Sequence, residues 1–140
     1  PPLVKAYGIE TIIAEKFEAS LDLVELNSRM KDFYDIWMLS RTYPFQGATL
    51  QEAVIATCRR RSTPLISQAP VFSREFAERT DKQAQWKTFR KKNQLPDVPE
   101  NFSTVMKDFG EFLRPVAEAS ENRRRFDENW LPGGPWQPAA

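Results

Sequence analysis

Lys16, Asp32 and Asp35 are the charged residues whose positions in this chain make chemical demands. A helix is expected over Ile9–Leu26, and at about 100° per residue Ile12, Ile13, Leu23 and Val24 gather around Ile9. Lys16 falls in the middle of that apolar arc, while Glu15, Glu18, Asp22 and Glu25 fall on the opposite, outer side. An inward ammonium costs on the order of several kcal/mol unless it finds a partner or reaches a cavity. The next helix is expected over Lys31–Thr42. There Asp32 starts the stripe continued by Ile36, Leu39 and Tyr43, and Asp35 lies about 60° to its side. A lysine held inward beside a carboxylate can receive a polyanion such as a phosphate group. Two plainer accounts compete: an Asp in the first turn of a helix is favoured by the macrodipole, and a lysine on an apolar face can snorkel to water.

Composition removes other chemistries. The chain has no His and a single cysteine, Cys58. His-dependent triads, His metal ligands and disulfides within the chain are thereby excluded. Cys58, on a helix without a neighbouring His, is expected to be structural. A lone cysteine fits a reducing compartment, and with no signal peptide or apolar run of membrane length the expected location is the cytoplasm. A net charge of +1 means the chain as a whole is no polybasic nucleic-acid binder. Four Trp and ten Phe predict a core built on large aromatics. The sequence starts at Pro1-Pro2 without an initiator Met, which predicts a piece of a longer protein.

The elements that must position these residues are mostly helical. Leu3–Tyr7 reads as a short strand ended by Gly8, completing a sheet supplied from upstream or serving as an extended lead-in. Asn27 and Ser28 break the chain and cap the second helix. Phe45-Gln46-Gly47 reads as a turn, after which Thr49 caps a third helix running to Arg61, with Glu52 as its capping-box partner. Residues 62–72, with Pro64 and Pro70, are a loop. Ser73–Arg79 is a short helix, Asp81 caps another over Lys82–Asn93 with Trp86 and Phe89 inward, and Leu95–Glu100 is a linker. The last helix spans Phe102–Arg114, where Pro115 ends or kinks it, with a resumption through Val116–Arg124. The tail from Phe126 carries Trp130, the turn Pro132-Gly133-Gly134-Pro135 and Trp136, and is expected to clamp onto the body. The expected fold is mainly α: a bundle of five to six helices with one short N-terminal strand, organised as a helical domain over 1–125 and a tail over 126–140.

Two stretches of the sequence form a pattern. Glu10-Thr11-Ile12-Ile13-Ala14-Glu15-Lys16 is followed, across a break, by Lys31-Asp32-Phe33-Tyr34-Asp35-Ile36. An E-x-x-x-A-E-K helix preceding a helix that opens [RK]-D-x-x-D-[IL] resembles the AbiEii/AbiGii toxin family of nucleotidyltransferases. The resemblance is close over about the first forty-five residues and general in character beyond. That family is similar to DNA polymerase-β-type transferases, with a Gly-Ser turn and paired carboxylates in its front half and helices in its back half. The resemblance implies that Lys16 reaches nucleotide phosphates, that Asp32 sits in the catalytic cleft and that Asp35 is the second acid of the motif. Glu15, Arg29 and Lys31 match positions beside them that orient the pair or meet substrate.

The same resemblance implies Mg²⁺ and a nucleoside triphosphate in the intact protein, a nucleic-acid acceptor such as a tRNA end, and a cognate antitoxin. The chain has no Gly-Ser turn followed by an Asp-x-Asp or Asp-x-Glu pair. This helical portion, the back half of such an enzyme without its front domain, is therefore expected to hold no metal and to be inactive alone. Two basic clusters, Arg59-Arg60-Arg61 and Lys87 with Arg90-Lys91-Lys92, are either helix ends complementing the dipole or contacts for a nucleic-acid backbone. A non-catalytic helical module that binds nucleic acid or protein, with Lys16 and Asp32 as an internal ion pair, is the competing reading.

Overall fold

The computed structural model of the chain describes residues 2–23 and 29–139, with side chains over 8–22 and 29–139. Among these residues six α-helices form in order: α1 Pro2–Leu23, α2 Met30–Thr42, α3 Gly47–Arg60, α4 Arg74–Ala77, α5 Thr80–Lys92 and α6 Phe102–Glu121. A single 3-10 turn, Pro70–Phe72, leads into α4. Three short strands, β1 Phe45–Gln46, β2 Glu128–Trp130 and β3 Trp136–Pro138, form an antiparallel sheet in the order β1-β2-β3. The mainly helical expectation holds, and so does the aromatic core. Phe33 makes edge-on contacts with Phe102 and Phe109 at 5.6 and 5.5 Å between ring centroids, a favourable geometry for rings of negative face and positive edge.

The strand expected at Leu3–Tyr7 is instead the start of α1. A five-residue run with few polar positions fits either period, and a strand without a partner has nothing to bond. Gly8 does not end the helix, and a Cβ there would meet nothing within 4 Å. The last residues of the first helix as expected, up to Leu26, and the expected cap at Asn27-Ser28 lie outside the described residues; the N-cap position of α2 is Arg29, without a side-chain cap bond.

The turn expected at Phe45-Gln46-Gly47 is β1 running into the first residue of α3. Thr49 therefore sits inside the first turn and donates to the Gln46 side chain at 3.3 Å rather than capping. Gly47 is there because β2 crosses close by: a Cβ would lie 2.8 Å from the Phe126 carbonyl and 2.7 Å from that of Glu128. Ser73 caps α4 by accepting from the Phe76 N–H at 3.1 Å. α5 starts at Thr80 with Arg79 at its N-cap, two residues before the expected cap Asp81. α6 runs unbroken through Pro115.

The tail docks. Phe126 and Trp130 belong to the same hydrophobic cluster as the helices. Trp130 Nε1 donates to the Ser40 carbonyl at 2.6 Å and Trp136 Nε1 to the Phe112 carbonyl at 2.9 Å. Gly133 and Gly134 make the hairpin turn at φ 89 and 74, a region in which glycine has no Cβ penalty. Phe45 pairs with Trp130 across the sheet, so the end of the chain closes onto the α2–α3 connection. Among the described residues no helix is long and apolar enough to cross a membrane.

Candidate active site

α1 and α2 run antiparallel: Ile12, one turn before Lys16, shares a hollow with Met38 and Leu39 near the end of α2. The middle of α1 consequently meets the first turns of α2. Lys16 Nζ lies 3.1 Å from Asp32 Oδ1 and 3.0 Å from Asp35 Oδ2. The sequence expectation placed Lys16 and Asp32 on a common surface without requiring touch; they touch directly. Arg29 Nε donates to the other oxygen of Asp32 at 2.9 Å. Lys31 Nζ donates to Asp35 Oδ2 at 2.7 Å, the helical i,i+4 pairing. Three cations thus share two carboxylates, a net charge of +1 for this network (three minus two).

The network sits at the rim of the core. Asp32 is buried in the first turn of α2, where the helix dipole favours it. The Lys16 side chain keeps 22% of its surface. Burial alone would lower the Lys16 pKa, but hydrogen bonds to Asp35 and Asp32 and their charges outweigh it and hold the ammonium above the ordinary lysine value. Burial likewise works to raise Asp35, and the bonds from Lys31 and Lys16 overcome it, holding that carboxyl below the ordinary range. Lys16 and Asp35 are therefore both charged at neutral pH.

The buried arc of α1 differs from the sequence expectation. Ile13, Ala14, Phe17, Glu18 and Ser20 are buried, whereas Ile12 is 45% exposed. The arc is centred near Phe17, so Lys16 stands at its edge and not in its middle. The cause is α3, which covers the face assigned to outer charges. Glu18, expected outside, is buried and accepts from Thr63 Oγ1 at 2.6 Å. Glu15 meets the guanidinium groups of Arg60 and Arg61, the latter at 2.8 Å. Glu15 therefore faces α3 and does not orient the Lys16–Asp32 pair directly. Arg29 and Lys31 do contact the two aspartates.

Lys16 separates two hollows. One, of about 400 Å³, is walled by Ile12, Glu15, Glu18, Arg29 and Arg61 among others. The other, of about 520 Å³, is walled by Ile12, Lys31, Asp35, Met38 and Leu39. Arg61 was legible only as part of a basic helix end, since nothing local in a sequence brings position 61 to position 16. The arrangement suits an anion: a lysine between two hollows, each with a further cation on its wall, while Glu15 and Glu18 of the first hollow are already paired with Arg60, Arg61 and Thr63. It does not suit a dication. Among the described residues no three His, Cys, Asp or Glu converge, and both aspartates already face ammonium or guanidinium groups that a metal ion would have to displace. These residues do not fit Mg²⁺.

Cys58 is buried on α3, away from this network. Burial, then the charge of Glu18, push its thiol up to about 11. It is a small apolar filler, as its sequence context implies.

No curated protein and no solved structure matches the chain. A family model described as "Nucleotidyl transferase AbiEii toxin, Type IV TA system" matches residues 1–115, which include the whole Lys16–Asp32–Asp35 network. The chain belongs to the AbiEii nucleotidyl transferase toxin family of type IV toxin–antitoxin systems.

Proposed function

We propose that, in the intact protein, Lys16 contacts the phosphates of a nucleoside triphosphate and Asp32 holds it in the catalytic cleft. A nucleoside monophosphate then passes to a nucleic-acid acceptor, with a tRNA end as the example the family resemblance supplies. Cognate antitoxin, nucleoside triphosphate and Mg²⁺ are partners of that intact protein in this reading.

The observation that carries the proposal is the Lys16 ammonium gripped by two carboxylates between two hollows. Phosphoryl transfer asks a protein mainly for placement and for charge complementary to the phosphates. A lysine held by two ion pairs is charged and oriented before substrate arrives, so little reorganisation is needed on binding. An incoming phosphate competes with Asp35 more readily than with Asp32. Asp35 is the more exposed of the two acids and has Lys31 to keep it paired. Asp32 keeps Arg29 whether or not Lys16 shifts. Asp35 is accordingly a counter-charge that releases Lys16, and Asp32 is the fixed anchor.

The directness of the Lys16–Asp32 contact also favours a second reading, a purely structural ion pair in a binding module. Activity separates them. With the intact protein and a labelled triphosphate, Lys16→Ala and Asp32→Ala should each lower transfer by about a hundredfold or more while the helical circular dichroism is kept. Full activity in variants that merely melt earlier would leave only the structural role.

A further inference from the structure

We propose that the C-terminal half of α5 is the surface that grips the phosphodiester backbone of a nucleic acid, beside the Lys16 network. This rests on the nucleotidyltransferase reading above for its purpose, but not for its evidence.

Many cations of the molecule outside this helix are held in ion pairs. Lys16, Arg29, Lys31, Arg60, Arg61, Arg74, Arg124 and Arg125 each face a carboxylate. From Lys82 to Lys92 the sequence holds five Lys or Arg and no acid. Four of them, Lys87, Arg90, Lys91 and Lys92, meet no carboxylate among the described residues, and Lys87, Lys91 and Lys92 are exposed. Helix-dipole compensation explains cations in a last turn. It does not reach back to Lys87, nor does it explain Lys87 and Lys91 standing as an unrelieved like-charge i,i+4 pair. Arg90 adds an independent mark: it is half-buried, yet its Nε is enclosed without an acceptor. An enclosed donor without a partner is costly, so this side chain gains hydrogen bonds by swinging onto a phosphate oxygen.

The patch is placed to serve the network. Phe89, between Thr88 and Arg90, packs on Tyr34 of α2 with ring centroids 5.7 Å apart. Tyr34 adjoins Asp35 and lies one turn from Lys31, so the basic end of α5 flanks the helix that carries both aspartates. Cations spread over several turns of one exposed helix fit a chain of phosphates, whose binding releases counterions and is steeply salt-dependent.

The test uses the intact protein and a fluorescein-labelled hairpin RNA, titrated without any nucleotide at several salt concentrations, with polyglutamate as a second probe. The triple variant Lys87→Gln, Lys91→Gln, Lys92→Gln keeps helix-forming residues at exposed positions, and a matching melting curve verifies its fold. Wild-type protein should bind the RNA and not polyglutamate. The variant should bind at least about tenfold more weakly, with a salt slope shallower by about two to three. Unchanged RNA affinity and slope in the variant would overturn the proposal. So would equal loss of polyglutamate binding, which would make the patch a dock for an acidic protein. Triphosphate binding should be the same in both, since no patch residue touches Lys16. A failed patch and a failed Lys16 site are therefore told apart.

Discussion

Lys16 and Asp35 set opposite edges to the pH range in which the site holds. The Lys16 pKa is raised on folding, so its stabilisation is complete below the ordinary lysine value of 10.5 and is lost as pH rises through the higher folded value. The Asp35 pKa is depressed, so its contribution is present above 3.8 and disappears as pH falls through the lower folded value. Denaturation midpoints should fall at both edges. Asp35→Asn should flatten the acid limb and Lys16→Met the alkaline one, while a limb unchanged by its own variant would contradict the ion pairing. Cys58 adds an alkaline loss of its own, because stability favouring the protonated thiol is present below 9.0 and lost as pH rises through about 11. Its thiol should resist alkylation in folded protein between these values and react once the chain is unfolded in denaturant. At this scale the sequence turned Lys16, Asp32 and Asp35 toward a shared surface, since charge against helical periodicity is a local signal, but it put Lys16 in the middle of an arc at whose edge it stands. It misassigned Ile12 and Glu18, because periodicity says which residues share a face and not which face a distant α3 will cover.

Elements join through a few close approaches. Gly47 lies against the Phe126 and Glu128 carbonyls, and these backbone atoms cannot yield as a side-chain tip would. Gly47→Ala should therefore cost about 1–3 kcal/mol in chemical denaturation. A change within a few tenths of a kcal/mol would mean that β2 is loosely held. Trp130 is buried against Phe112, with ring centroids 4.8 Å apart, and bonds the Ser40 carbonyl. Trp130→Ala should cost about 3–5 kcal/mol in the same measurement, whereas a cost below about 1 kcal/mol would contradict docking of the tail. The helices were legible because their apolar period runs over many residues. The β1-β2-β3 sheet was not. Its strands are two or three residues long, and β1 pairs with a segment more than eighty positions away, so no local pattern announces it. Leu3–Tyr7 failed for the related reason that five residues cannot separate the two periods.

At the scale of the molecule, the aromatic core and the hairpin fix α2, and α2 fixes the site. Trp37 Nε1 donates to Asp108 on α6 at 2.8 Å, Phe33 packs among Phe102 and Phe109, and the tail bonds Ser40 near the end of the same helix. A helix tied along its length presents Asp32 and Asp35 to α1 in a fixed register, which is what a preorganised charge site needs. The family was legible from two short motifs, and the resemblance placed Arg29 beside the pair, but the sequence did not show that Arg61 would flank Lys16, since that depends on how distant helices converge. In the proposed function the Lys16 ammonium must exchange a carboxylate for a phosphate. The most direct measurement is nucleoside triphosphate affinity of the intact protein, compared between wild type and Lys16→Gln. Loss of one charge-assisted contact should weaken binding by about ten- to a hundredfold. Equal affinity in the two proteins, with only the melting temperature lowered, would contradict it.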